Sequence, residues 1–204
     1  MTTAIVSRAW YRNKISQQRI DLMEEHFIKS LKIQTDQDFE VHLLCHKDTV
    51  DKIRALDWGD LKTCFYVSDK KPGKESEREM DYVDANSCTY NPLTNIQIRL
   101  DIDDWIAPIF VEYVKEHFKD GKDGLLTFHP TKYLHDKKVS YFSQKTYSEN
   151  KPSMFIAIYQ NKPKIGIYKD MHGRMAKYFE KSHFIKEFGL CNLVVHSQNA
   201  FTKP

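Results

Sequence analysis

The 204-residue chain is poor in the features that mark specialised chains. Seven glycines and seven prolines exclude collagen-like and low-complexity classes. Four cysteines, Cys45, Cys64, Cys88 and Cys191, stand far apart with no CxxC pair, which argues against a zinc cluster or disulfide framework and for a reducing compartment. Nowhere do 18 apolar residues run together, and the start, MTTAIVSRAW, has no long apolar stretch. The expectation is a cytoplasmic protein with neither signal peptide nor transmembrane helix. No GxGxxG, GxxxxGK[ST], GxSxG or HExxH occurs, so the backbone cradles and nucleophile turns of those motifs are missing. Neither charge sign dominates: 31 Lys and Arg interleave with 28 Asp and Glu. A dedicated nucleic-acid binder gathers its basic residues on one face, so no nucleic-acid partner is expected. The cluster Lys70, Lys71 and Lys74, broken by Pro72 and Gly73, reads as an exposed loop.

What is present is a foldable core. The apolar fraction is 41%, with 12 Phe, 11 Tyr and 3 Trp, enough to bury a core in one domain. Ala4-Ile5-Val6 opens a first strand. Ile20, Met23, Phe27 and Leu31 recur at helical steps, predicting a helix from Ser16, as N-cap, to Lys32. Phe39–Cys45 and Lys62–Val67 read as strands around a short helix from Val50 to Leu56, and this alternation predicts βαβ units with a mainly parallel sheet. Residues 69–92 form a polar excursion with room for a helix over 75–83. Asn95–Leu100 alternates as a fourth strand, and Pro108 and Gly121 bracket a helix over 109–118. Leu125–Phe128, Val139–Phe142, Phe155–Tyr159 and Leu193–Val195 predict strands of a smaller, more antiparallel second half, with a helix near Gly173–Phe179. The chain thus reads as a single α/β domain, with a nucleotide-type half over 1–105 and a mixed, acceptor-side half over 106–204.

Three carboxylates fall within four residues at Asp101, Asp103 and Asp104. They repel one another, and at the carboxyl end of a strand in an open α/β sheet they would face the crevice where ligands bind. Carboxylate oxygens there suit Mg²⁺ or Mn²⁺ beside a diphosphate. The bland alternative is that Asp103 or Asp104 caps the helix beginning near Pro108.

The run Arg99-Leu100-Asp101-Ile102-Asp103-Asp104, followed shortly by a helix start at Pro108, resembles the Asp-x-Asp segment of GT-A-fold glycosyltransferases, and most of all their rhamnosyltransferase group. Ser7-Arg8, the stretch Gln34–Phe39 and Val194-Val195-His196-Ser197-Gln198-Asn199 extend the likeness over both halves. The resemblance implies a Rossmann-like GT-A sheet flanked by helices, and transfer of rhamnose or another hexose from a nucleoside-diphosphate sugar, with UDP the most frequent nucleotide. It implies Mn²⁺ or Mg²⁺ as cofactor, a glycan or glycoprotein acceptor, and a catalytic domain of a larger viral or bacterial glycan-building protein (a host's cytoplasm, if viral). It makes Asp101 and Asp103 metal- and nucleotide-binding, Asp103 catalytic, and His196 a third ligand, unless His196 is an ordinary strand-end histidine. Ser7 and Arg8 would lie near the nucleoside. Arg99 would face the base or phosphates, or else pair with a neighbouring carboxylate.

The chain departs from the family pattern at bulky Trp105 and in lacking a recognisable acceptor-side acid motif. Asp170, beside His172 and Gly173, is the candidate general base and Glu149 a poorer one, so retention and inversion stay open. His42 and His117 read as structural, while His129 and His172 lie in loops that could touch an acceptor. The rival readings are a non-catalytic glycan- or nucleotide-binding module with a structural cation, and a phosphotransferase. In the latter, Asp-x-Asp usually follows the first strand rather than about the fourth.

Overall fold

A computed structural model describes residues 1–9, 16–68, 94–134, 139–141, 153–168, 172–187 and 189–195. The basic loop at Lys70–Lys74 and the helix expected over 75–83 fall outside them.

β1 (Thr3–Arg8) lies near the middle of a seven-stranded sheet. It pairs in parallel with β2 (Glu40–His46) on one side and β4 (Ile96–Arg99) on the other. β2 in turn pairs in parallel with β3 (Lys62–Ser68), the edge strand. Past β4 the sheet turns mixed. β9 (Ile156–Tyr159) runs antiparallel to both β4 and β6 (Gly124–Phe128), and β10 (Ser182–Ile185) closes the far edge parallel to β6. The sheet therefore draws strands from both sides of residue 105. A second, four-stranded sheet has the order β5 (Trp105–Ile106), β11 (Cys191–Val195), β7 (Thr131–Leu134), β8 (Val139–Tyr141). Its β5–β11 and β7–β8 pairs are antiparallel and its β11–β7 pair parallel. No helix among the described residues is long and apolar enough to cross a membrane.

Both sheet faces are covered, which is why β1 is apolar without alternation. On one face Ile5, Val41, Leu43, Ile96 and Ile98 meet Met23, Phe27 and Leu31 from the first helical segment. That segment begins as α1 (Gln17–Leu22), passes through a π-helical turn (Met23–Ile28) and ends as α2 (Lys29–Lys32). Ser16 caps it, accepting from the Arg19 N–H at 3.2 Å. On the other face Ala4, Val6, Leu44, Ile156 and Ile158 pack against Ile167 and Tyr168. α3 (Val50–Arg54) and α4 (Phe110–His117) complete the described α-helices. The segment expected as a late helix is a 3₁₀ helix, His172–Tyr178.

α4 has Ile109 at its N-cap with no side-chain bond there, so Asp104 does not cap it. A distant residue does part of that work. Buried Gln34 accepts from the Val111 N–H at 3.1 Å and donates to Ser30 O and Ala107 O, each at 2.8 Å. β5, β7 and β10 are unanticipated in the sequence. They are two to four residues long.

Candidate active site

β4 delivers the acidic segment to the carboxyl end of the parallel strands, beside the end of β1. Leu100 N–H donates to Val6 O at 3.3 Å, and the Ser7 hydroxyl donates to Leu100 O. Ser7 is fully buried, so its hydroxyl stitches the two strand ends together. The chain then turns sharply: Asp104 N–H donates to Asp101 O at 3.1 Å, a β-turn for which aspartate is favoured at the first position. Ile102 pins the turn into the core, leaving three carboxylates on one short bend.

Their environments differ. The Asp101 side chain is 34% exposed and lies 3.7 Å from Arg99. Asp103 is buried and accepts from the Arg19 guanidinium at 3.0 Å. Asp104 is wholly buried, and its Oδ1 accepts from Val194 N–H of β11 at 2.9 Å. Burial first, then the charges of Asp103 and Asp101, push the Asp104 carboxyl well above its ordinary 3.8. Its Oδ2 is buried with no hydrogen-bond partner among the described residues. A carboxyl in that position holds a proton or faces a cation. Asp101 and Asp103 offer hard oxygen donors of the kind taken by the divalent ion that the fold family implies, although the three carboxylates do not converge on one point as a three-donor cluster.

A cationic and aromatic wall adjoins the turn. The Arg99 guanidinium lies 4.8 Å and the Arg8 guanidinium 5.0 Å from the centroid of the Tyr168 ring. Tyr168 is fully buried, which raises its phenol above the ordinary 10.0, so it stays neutral and offers its π-face to both cations. Gln97 of β4 holds this tyrosine's segment in place by accepting from Ile167 N–H at 2.8 Å.

The structure thus brings together Ser7, Arg8, Arg99, Asp101 and Asp103. Of the two roles considered for Arg99, contact with a carboxylate is seen. Trp105 sits on β5 opposite Asn192. Asp170, Glu149 and His196 fall outside the described residues; β11 ends one residue before His196. Sequence reasoning missed Arg19, Gln97 and Tyr168. Arg19 and Asp103 are 84 residues apart, and no local pattern links them. His117 bonds the Tyr113 carbonyl at 3.0 Å, and His129 is buried beside Phe184.

The family described as "putative rhamnosyl transferase" matches residues 2–201. No curated protein matches the sequence. Among solved structures, Staphylococcus aureus TarS 1–349 in complex with UDP-GlcNAc superposes with a TM-score of 0.65 at 11% identity, over 98% of this chain and 60% of that one. The same fragment with UDP gives 0.58 at 14% identity, over 96% and 61%. GalNAc-T7 with UDP, GalNAc and Mn²⁺ gives 0.56 at 10% identity, over 97% and 44%. The chain spans about three fifths of the length of the TarS fragment, and the common fold is that of GT-A glycosyltransferases.

Proposed function

The chain belongs to the family described as "putative rhamnosyl transferase", and from that premise we propose that it moves a hexose from a nucleoside-diphosphate sugar to a hydroxyl of a glycan or glycoprotein acceptor. The observation that carries this reading is the turn Asp101–Asp104 at the carboxyl end of β4, with Asp104 bonded to β11. Ligands of open α/β sheets bind at that end. UDP is the favoured donor nucleotide, because UDP or UDP-GlcNAc occupies the TarS and GalNAc-T7 structures that share this fold.

Asp101 and Asp103, with His196 as the third ligand, would hold Mn²⁺ or Mg²⁺. When bound, such an ion offsets negative charge on the departing nucleoside diphosphate. Arg8 and Arg99, braced on Tyr168, add positive charge on the same side and orient the diphosphate. Arg19 holds Asp103 in one rotamer, so the carboxylate is preorganised before the donor arrives. Asp170 is the proposed acceptor of the proton from the attacking hydroxyl. The unbridged Cys45, Cys64 and Cys191 suit a cytoplasmic enzyme.

A screen of nucleotide-sugar hydrolysis, with and without Mn²⁺, tests the reading. Release of a nucleoside diphosphate from one donor, dependent on the ion, is expected. Binding of free sugars without turnover of any donor would return the chain to the non-catalytic module.

A further inference from the structure

We propose a second cation site, for a borderline-soft divalent ion of the Zn²⁺ class, formed by Glu40, His42 and Cys64 on the β2–β3 edge of the large sheet. One ligand atom from each of the three lies within 4.8 Å of the others. The register explains the convergence. His42 and Cys64 are cross-strand partners, and Glu40 precedes His42 by two residues, so all three share one face. This is the face that carries Ala4 and Val6, away from the first helical segment.

The surroundings of His42 are those of a ligand histidine. The ring is buried, stacked on Tyr66 with centroids 5.6 Å apart. Its Nδ1 is 3.1 Å from the Tyr66 hydroxyl and its Nε2 is 3.1 Å from Glu40 Oε2. With the ring neutral, Nε2–H donates to Glu40 and the Tyr66 hydroxyl donates to Nδ1. A cation entering between Nε2, the carboxylate and the sulfur binds the other neutral tautomer: the proton leaves Nε2 and one is taken up at Nδ1, so the ring carries one N–H before and after. The Tyr66 hydroxyl then rotates to accept from Nδ1–H, which gives the metal-bound ring an orienting partner. Cys64 binds as the thiolate, so its proton is released when the ion binds.

Imidazole, thiolate and carboxylate are the donors Zn²⁺ takes, with the fourth position left to water. The acid turn, whose own donors are carboxylate oxygens and which lacks a thiolate, selects a harder ion, and the two sites lie apart. His42 stands four residues back from the carboxyl end of β2 at His46, roughly 13 Å along the strand. The site would clamp the edge strand β3 to β2. It does not depend on the proposed transferase activity.

The test uses the full chain, reduced and stripped with a chelator, titrated with Zn²⁺ by calorimetry and with Co²⁺ by absorption. One Zn²⁺ is expected per chain, with a sulfur-to-cobalt charge-transfer band. Both should persist in an Asp101→Asn, Asp103→Asn double variant. Cys64→Ser should abolish the band and weaken Zn²⁺ more than about tenfold, with far-UV circular dichroism unchanged; His42→Gln should weaken it likewise. Unaltered binding in a folded Cys64→Ser protein, or no Zn²⁺ binding by the wild type, would overturn the proposal.

Discussion

Asp104 Oδ1 accepts a hydrogen bond from the backbone N–H of Val194 at 2.9 Å, across 90 residues of chain. The bond ties the turn after β4 to the last described strand, so the middle of the chain meets its last described strand at the carboxylates. Asp104 thereby positions the turn, which on the proposed reading leaves Asp101 and Asp103 to the ligand.

Asp104→Asn keeps an oxygen acceptor for Val194 and removes the ionisable group. In the ion-free chain, the folded-state pKa of Asp104 lies above the unfolded value near 3.8. The folded state therefore binds more protons, and stability falls as pH rises from that value through the raised pKa. Chemical denaturation against pH should show this decline in the wild type and a flatter profile in Asp104→Asn. Asp104→Ala, which removes the Oδ1 acceptor from the Val194 N–H, should lose ~1–3 kcal/mol.

Asp103→Asn removes a ligand charge at nearly constant volume. Ion-dependent turnover should fall by roughly a hundredfold or more, corresponding to ~3 kcal/mol of charge stabilisation. The melting temperature, read by circular dichroism, should stay within a few degrees of wild type. Unchanged turnover would remove Asp103 from the mechanism.

Tyr168→Leu takes the aromatic face from Arg8 and Arg99. Two cation–π contacts of ~0.5–1 kcal/mol each should be lost from the folded state, and donor affinity should fall because neither guanidinium is then held in place. Tyr168→Phe keeps the ring and should bind the donor like wild type. Equal donor affinity in both variants, measured by nucleotide titration, would separate this wall from the donor.

Gln34→Ala unpairs the buried Val111 N–H and takes a donor from Ser30 O and from Ala107 O, the latter still accepting from Phe110 N–H. A loss of ~1–3 kcal/mol is expected, seen as a melting temperature lower by roughly 3–10 °C. Turnover per folded molecule should not change, because Gln34 lies behind the site.

Elements with their own periodicity were legible in the sequence. The stripe Ile20, Met23, Phe27 and Leu31 is buried as a unit, and the strand before the acid turn ends where its alternation ends. The acid turn itself stood out because Asp101, Asp103 and Asp104 are close in sequence as well as in space. What escaped is set by contacts far apart in the chain. Arg19 looks like any polar helix residue until Asp103 is folded beside it. Tyr168 gains its place through distant contacts, among them the Gln97 bond to neighbouring Ile167, which spans 70 residues. Asp104 reads equally well as a helix cap, and only the pairing of β5 with β11 brings Val194 to it instead.

Calorimetric titration of UDP into the wild type and Asp103→Asn, each with and without Mn²⁺, bears most directly on the acid turn. The account predicts binding by the wild type that needs Mn²⁺ and is weakened at least about tenfold in the variant. UDP binding of equal strength in all four titrations, or in none, would contradict it.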